Sequence, residues 1–225
     1  VNLGTYESKG NDFLALIEVL SEMPGVDRLR ISSIEPTTIP NELFGMMADP
    51  DHSLMPYLHI PMQACCDRTL AGMKRKYGME EMVAFFDRAA KAIPTLCLGT
   101  DLLVGFPGET ESEFEETCDR FLNLPFAYCH VFTFSEREGT PAAKMDEQVP
   151  VEERRLRSAH LRRLSAAKRM RFHENQLGKV YRVLLENPKD GFYAGYTDHY
   201  VRVVVPQAPC GLENRMAFIR MKKAT

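Results

Sequence analysis

Thr100-Asp101-Leu102-Leu103-Val104-Gly105-Phe106-Pro107-Gly108-Glu109-Thr110, running into Glu111-Ser112-Glu113-Phe114-Glu115-Glu116, decides the fold. The apolar run 96–104 predicts a buried strand that delivers the chain to a turn with two glycines, from which a helix starts. Thr110 stands at the N-cap position and Glu113, three residues on, completes a capping box. Glycines at this place let main chain approach a flat or anionic group, at the carboxyl-end loop where α/β folds put ligands. The loop matches neither the phosphate-loop nor the dinucleotide pattern, and acids crowd the helix start, so phosphate cradling is disfavoured.

Working outward, shorter strands are predicted at 29–32, 57–60 and 127–132, and helices at 12–23, 41–48, 80–92 and 111–124. Strands alternating with helices imply an α/β fold with a parallel sheet and helices outside it, as a barrel segment or a doubly wound sheet. The pattern changes at Pro150. A helix over 150–177 begins with Pro and Glu152-Glu153 in its first turn, and carries Arg154, Arg155, Arg157, Arg162, Arg163, Lys168, Arg169 and Arg171. Leu156, Leu161, Leu164, Ala167 and Met170 recur at near-helical spacing as its expected packing face. Short β-branched segments at 179–185, 192–195, 200–205 and 216–221 then fit a small antiparallel β-barrel. The expected organisation is 1–149, a linking helix 150–177, and a module 178–225.

The 225 residues allow one or two domains, and 44% apolar with 26% charged residues excludes wholesale disorder and fibrous architectures. The net charge of -3 conceals an asymmetry. Before Pro150 there are 12 basic against 24 acidic residues, and from there on 16 against 7, so the basic part is the candidate for an anionic partner. No run approaches the ~20 apolar residues that span a bilayer, so the expectation is a cytoplasmic protein with no membrane partner. The six cysteines, Cys65, Cys66, Cys97, Cys118, Cys129 and Cys210, lack metal-site spacing and read as buried thiols, with no metal ligand expected.

Three further runs carry polar groups at strand ends. His59-Ile60-Pro61-Met62-Gln63-Ala64-Cys65-Cys66-Asp67 leaves a strand, with Met73-Lys74-Arg75-Lys76-Tyr77 beyond it. Gln63 can offer an amide to a ribose and Arg75 a planar fork to a carboxylate; equally, Asp67 is an N-cap and the basic triplet a solvated helix end. Ile31-Ser32-Ser33-Ile34-Glu35-Pro36 ends a strand at a proline. His130-Val131-Phe132-Thr133-Phe134-Ser135-Glu136-Arg137-Glu138-Gly139-Thr140-Pro141-Ala142 either lines an adenine pocket or is core and turn.

In this order and spacing, with Asn2, Gly4 and Tyr6 ahead of them, the four runs resemble the radical S-adenosylmethionine methylthiotransferases over nearly the whole chain. Ser32-Ser33-Ile34-Glu35-Pro36 resembles the branch that acts on threonylcarbamoyladenosine in tRNA. The resemblance implies a partial radical-SAM (βα) barrel followed by a TRAM module, an RNA-binding β-barrel of OB-like type. It implies S-adenosylmethionine as cofactor, with two 4Fe-4S clusters in the intact enzyme, and the addition of a methylthio group to C2 of the adenosine next to the anticodon. Asn2 and Arg75 would meet the methionyl amino or carboxylate group, Gln63 the ribose, and the main chains of Val104-Gly105-Phe106 and His130-Val131-Phe132 the adenine. Asp101, Ser33 and Glu35 would stand beside cofactor or substrate. In the basic tail, Lys179, Arg182, Arg202, Arg220 and Lys222 are the candidates for tRNA phosphates, with Tyr181, Tyr196 and Tyr200 able to stack on bases.

The family's C-x-x-x-C-x-x-C loop is absent from the 225 residues, and the resemblance places it upstream of Val1. The expectation is therefore the carboxyl-terminal portion of a longer enzyme, inactive by itself. The family's Gln-Ser-Gly-Ser-Asp reads Gln63-Ala64-Cys65-Cys66-Asp67 here, and Glu136 and Glu138 replace the prolines that commonly flank Arg137. Alternative readings are a ribosomal-protein methylthiotransferase and a non-catalytic RNA-binding protein.

Overall fold

A computed structural model describes residues 3–206, 209 and 211–224; Asn2 lies outside the described residues. A short hairpin, β1 (Glu7–Ser8) and β2 (Asn11–Asp12), leads into α1 (Phe13–Ser21) and α2 (Glu42–Ala48). A parallel sheet follows, β3 (Tyr57–His59), β4 (Cys97–Val104) and β5 (Tyr128–Thr133) in the order β3-β4-β5, interleaved with α3 (Asp67–Gly72), α4 (Met79–Ala92) and α5 (Glu111–Asn123). After α6 (Val151–Glu174) come β6 (Val180–Leu185), β7 (Phe192–Thr197), β8 (Arg202–Pro206) and β9 (Met216–Arg220), an antiparallel sheet in the order β8-β7-β6-β9.

β4 is central because its sequence serves two faces. Leu98, Leu102 and Val104 enter the main core with Met82, Phe85, Phe86 and Phe121 from α4 and α5. Thr100, fully buried between them, donates its hydroxyl to Ile60 O at 2.7 Å and accepts from Met62 N at 3.2 Å, which fixes the exit of β3 beside β4. The capping box at α5 forms as the sequence implies: the Thr110 hydroxyl accepts from Glu113 N, and the Glu113 carboxylate accepts from Thr110 N.

Three expectations need correction. The segment 29–32 is not a strand among the described residues; it makes one parallel bridge, Leu29 to Leu54, and past its end Ile34 N donates to His59 O at 3.3 Å. Its arginines are committed elsewhere. Arg28 donates to Tyr196 O at 2.8 Å and Arg182 O at 3.0 Å and pairs with Asp198 at 2.6 Å, while Arg30 donates to Thr197 O at 2.9 Å.

The helix α6 packs through only part of the predicted apolar stripe, at Leu161 and Leu164. Leu161 is fully buried, but Leu156 is 64% exposed and Met170 38%, whereas Arg154, Arg157, Ser158 and Ser165 are buried. Polar partners explain the inversion: Ser165 accepts from Cys129 N at 2.9 Å and donates to Cys129 O at 2.8 Å, and Arg157 pairs with buried Glu109 at 2.8 Å. The Lys168 ammonium caps the carboxyl end of α5, donating to Phe121 O, Leu122 O and Leu124 O. So α6 is a layer of the parallel-sheet unit, laid on β5. Lastly, the four tail strands pair as an open sheet among the described residues rather than a closed barrel. No helix among them is long and apolar enough to cross a membrane.

Candidate functional site

Alternation along a strand sends successive side chains to opposite faces. Tyr57 and His59 on β3, Asp101 on β4, and Tyr128 and His130 on β5 therefore share the face turned away from α4 and α5, and they line a cavity of about 900 Å³. Ser33 closes it on one side, Arg169 and Phe172 of α6 on another, and Tyr196, Tyr200 and Arg202 of the tail complete it.

Within this cavity His59 Nε2 lies 2.9 Å from Asp101 Oδ1, and the register sets Asp101 directly beside His130. Gly99 makes the arrangement possible, since a Cβ there would sit 2.7 Å from the Tyr128 ring and 2.9 Å from His59 Nδ1. Burial, then the neighbouring His59, pulls the His130 imidazole below its ordinary value, with Asp101 pulling the other way. Tyr57 and Tyr128 share a 2.8 Å hydroxyl contact, and burial pushes both phenols up. Each cation rests on a ring: Arg30 over Tyr200 at 4.9 Å, Arg169 over Tyr128 at 4.7 Å, Arg202 over Tyr196 at 5.5 Å. Tyr196 and Tyr200 stack at 4.6 Å. A cavity of stacked phenols and guanidinium groups suits a planar, anionic guest such as a nucleotide.

Of the remaining candidates, Gln63 and Phe132 lie near the carboxyl ends of β3 and β5, while Arg75 follows α3 and Glu35 precedes a short turn at Pro36–Thr38. Gln63 adopts left-handed backbone (φ 73°), donating to Asp101 O and accepting from Leu103 N, each at 2.8 Å. Arg75 is half-buried and its Nε has no hydrogen-bond partner among the described residues. Glu35 is exposed, past the segment that bears Ser33. Phe132 is 52% exposed, on the same strand face as His130.

Val104, Gly105 and Phe106 also carry contacts that hold the fold. Val104 is buried in the core and its carbonyl accepts from Phe134 N at 2.9 Å. Gly105 N donates to Glu109 Oε2 at 2.6 Å, and a Cβ on Gly105 would sit 2.4 Å from Arg154 Cγ. Phe106 packs edge-on against Phe134. The glycine thus answers to Arg154, and its amide is already taken. Burial raises the Glu109 carboxyl, against the hydrogen bonds from Gly105 and Arg157 that lower it.

In the tail, Lys179, Lys222 and Arg220 are exposed, Arg220 donating to Gly178 O at 2.8 Å. Arg202 is exposed beside the cavity, whereas Arg182 is half-buried and paired with Asp198 at 3.2 Å. Sequence reasoning did not single out His59, Arg30, Arg154, Arg157 or Arg169 as site or scaffold residues. Strand alternation from Tyr57 was the available signal for His59; the arginines carry none.

The family model described as the Radical SAM superfamily matches residues 8–121. The chain belongs to the radical SAM superfamily. It is 36% identical over 221 residues to "Threonylcarbamoyladenosine tRNA methylthiotransferase MtaB" of Bacillus subtilis (strain 168), a match covering 91% of this chain and 47% of that protein. It is 34% identical over 211 residues to "tRNA-2-methylthio-N(6)-dimethylallyladenosine synthase" of Maricaulis maris (strain MCS10), covering 93% and 46%. The chain spans about half the length of these curated relatives. Among solved structures, the radical SAM enzyme coproporphyrinogen III oxidase (HemN) from Escherichia coli shares the fold, with a TM-score of 0.54 at 14% identity over 82% of this chain and 50% of that one.

Superfamily membership implies S-adenosylmethionine and a 4Fe-4S cluster. For the cofactor the residues fit, because Arg75 offers an orphaned, half-buried guanidinium nitrogen. For the cluster those described do not. Cluster ligands are thiolates, and the five described cysteines are buried. Burial pushes Cys97 and Cys118 up to about 12, Cys129 to about 11, and Cys65 and Cys66 upward too.

Proposed function

We propose that the protein is a radical SAM methylthiotransferase that places a methylthio group on C2 of threonylcarbamoyladenosine beside the anticodon of a tRNA, in the cytoplasm. The observation that carries this reading is likeness to a relative of that name over 91% of the chain, parallel sheet and basic tail alike. The string Ser32-Ser33-Ile34-Glu35-Pro36 favours the threonylcarbamoyl branch over the dimethylallyl one. In this reading 1–149 is the cofactor unit, the helix over 150–177 is laid on that unit and leads out of it, and 178–225 is the RNA-binding module.

Bound S-adenosylmethionine supplies the methyl group and the radical initiator. Arg75 would hold its carboxylate with a charge-assisted fork, and Gln63 its ribose hydroxyls through the side-chain amide. Phe132 would lie along its adenine. Ser33, Tyr196, Tyr200 and Arg202 would orient the target nucleotide by stacking and by phosphate contact. Exposed Lys179, Arg220 and Lys222 would extend the phosphate track across the tail, while Arg182 holds Asp198 in place.

Mass spectrometry of tRNA nucleosides from a deletion strain tests the proposal. Loss of 2-methylthio-threonylcarbamoyladenosine alone, restored by the gene, is the expected result. Loss of the 2-methylthio dimethylallyl nucleoside reassigns the branch. Unchanged tRNA with loss of methylthiolation on a ribosomal protein, or no change at all, refutes the assignment.

A further inference from the structure

The cavity contains a group that the proposed reaction leaves unused. His59, Asp101 and His130 come from three adjacent parallel strands, their side chains point to one face, and one ligand atom from each lies within 4.8 Å of the others. We propose that His59, Asp101 and His130 bind a single divalent transition-metal ion of the zinc class.

The geometry is close to what such an ion requires. With a metal–nitrogen distance of about 2.1 Å, each imidazole centroid stands about 3.2 Å from the ion, so two rings at a tetrahedral angle have centroids about 5.2 Å apart. The His59 and His130 centroids are 5.5 Å apart. Two donors about 2.1 Å from one ion sit about 3.4 Å apart, and His59 Nε2 to Asp101 Oδ1 is 2.9 Å. The three donors lie within 4.8 Å of one another, so binding requires χ rotations that draw them together.

The surroundings agree. Three arginines line the cavity, yet none pairs with Asp101 among the described residues; its ion-pair partner is a histidine, and the guanidinium groups lie on tyrosine rings. The carboxylate is therefore available as a ligand. Two imidazoles and one carboxylate suit borderline divalent ions and leave at least one coordination position open to the cavity. Gly99 keeps the His59 ring from being displaced, since any side chain there collides with it. The buried thiols, by contrast, are scattered over β4, β5, α5 and the loop after β3.

The test is titration of the metal-depleted chain with Zn²⁺ by calorimetry and with Co²⁺ by visible absorption. One ion per chain is expected, with the cobalt spectrum of a nitrogen- and oxygen-ligated site of low coordination number. His130→Ala, at an exposed position, and Asp101→Asn should each weaken Zn²⁺ binding at least about tenfold while circular dichroism shows each variant folded. Cys66→Ser and His52→Gln should leave it unchanged. Absence of a stoichiometric ion, equal affinity in His130→Ala, or a thiolate-to-cobalt charge-transfer band overturns the proposal.

Discussion

Lowering the pH should loosen the seat of the tail sheet through one histidine. His199 lies in the turn between β7 and β8, 1% exposed, its ring 4.3 Å from that of Tyr181 and 6.1 Å from that of Phe172 on α6. Its Nε2 is buried with no hydrogen-bond partner among the described residues. Burial lowers its pKa from 6.5 to about 4, with Lys179, His173 and Arg30 adding to the effect and Asp198 opposing it. Folding thus depresses this pKa, so the stabilisation is full above the unfolded value and disappears as the pH falls from about 6.5 toward about 4. At pH 5 the unfolded imidazole is almost wholly protonated and the folded one almost wholly neutral. Linkage then gives a loss of about 2 kcal/mol between pH 7 and pH 5 from this group. Urea unfolding followed by circular dichroism and by tyrosine emission, which suits a chain with 8 Tyr and no Trp, measures it at each pH. In His199→Leu this component is removed, so the gap between wild type and variant should change by about 2 kcal/mol across the interval. Parallel pH curves for the two proteins, or an NMR titration of His199 centred near 6.5, would refute the reasoning.

Gly99→Ala places a methyl group against the Tyr128 ring and His59 Nδ1, and should cost about 1–3 kcal/mol in a denaturant melt. Glu109→Gln removes the buried one of three carboxylates on Arg157, which keeps Glu111 and Glu153, and should cost about 1–3 kcal/mol, whereas the paired change Glu109→Leu with Arg157→Leu should recover part of that loss. In filter-binding with tRNA, Lys222→Ala and Arg202→Ala should each lower the slope of log affinity against log salt by about 1, and an unchanged slope would remove that residue from the phosphate track.

The parallel sheet could be read from sequence because its signals are local: an apolar strand at 96–104, a capping box at Thr110 and Glu113, and helix punctuation by proline and glycine. The segment 29–32 reads equally well as a strand, but whether it pairs depends on neighbours far away in sequence, and Arg28 and Arg30 are drawn to carbonyls about 170 residues on. The helix α6 misled for a related reason. Hydrophobic periodicity assumes that arginine faces water, and nothing in the pattern announces that Arg154 and Arg157 find buried acceptors in the loop after β4 and at the end of β5. Of the candidate site, Asp101, His130 and Ser33 line one cavity although Asp101 and His130 lie inside their strands, and the crowding of Gly105 by Arg154 is a tertiary fact that no local pattern shows.

Arg28 and Arg30 hold the tail mostly by its main-chain carbonyls, at Arg182, Tyr196 and Thr197, with the Asp198 carboxylate and the Tyr200 ring as the side chains in the grip. Carbonyl oxygens are common to every amino acid, so this joint reads the path of the tail and not its spelling. Tails of different surface chemistry should then be accepted on the same seat, provided that the turn keeps its course, with an acidic residue at position 198 and an aromatic ring at position 200. The attachment is tolerant where the outward face must vary, which is the property needed of an adaptor.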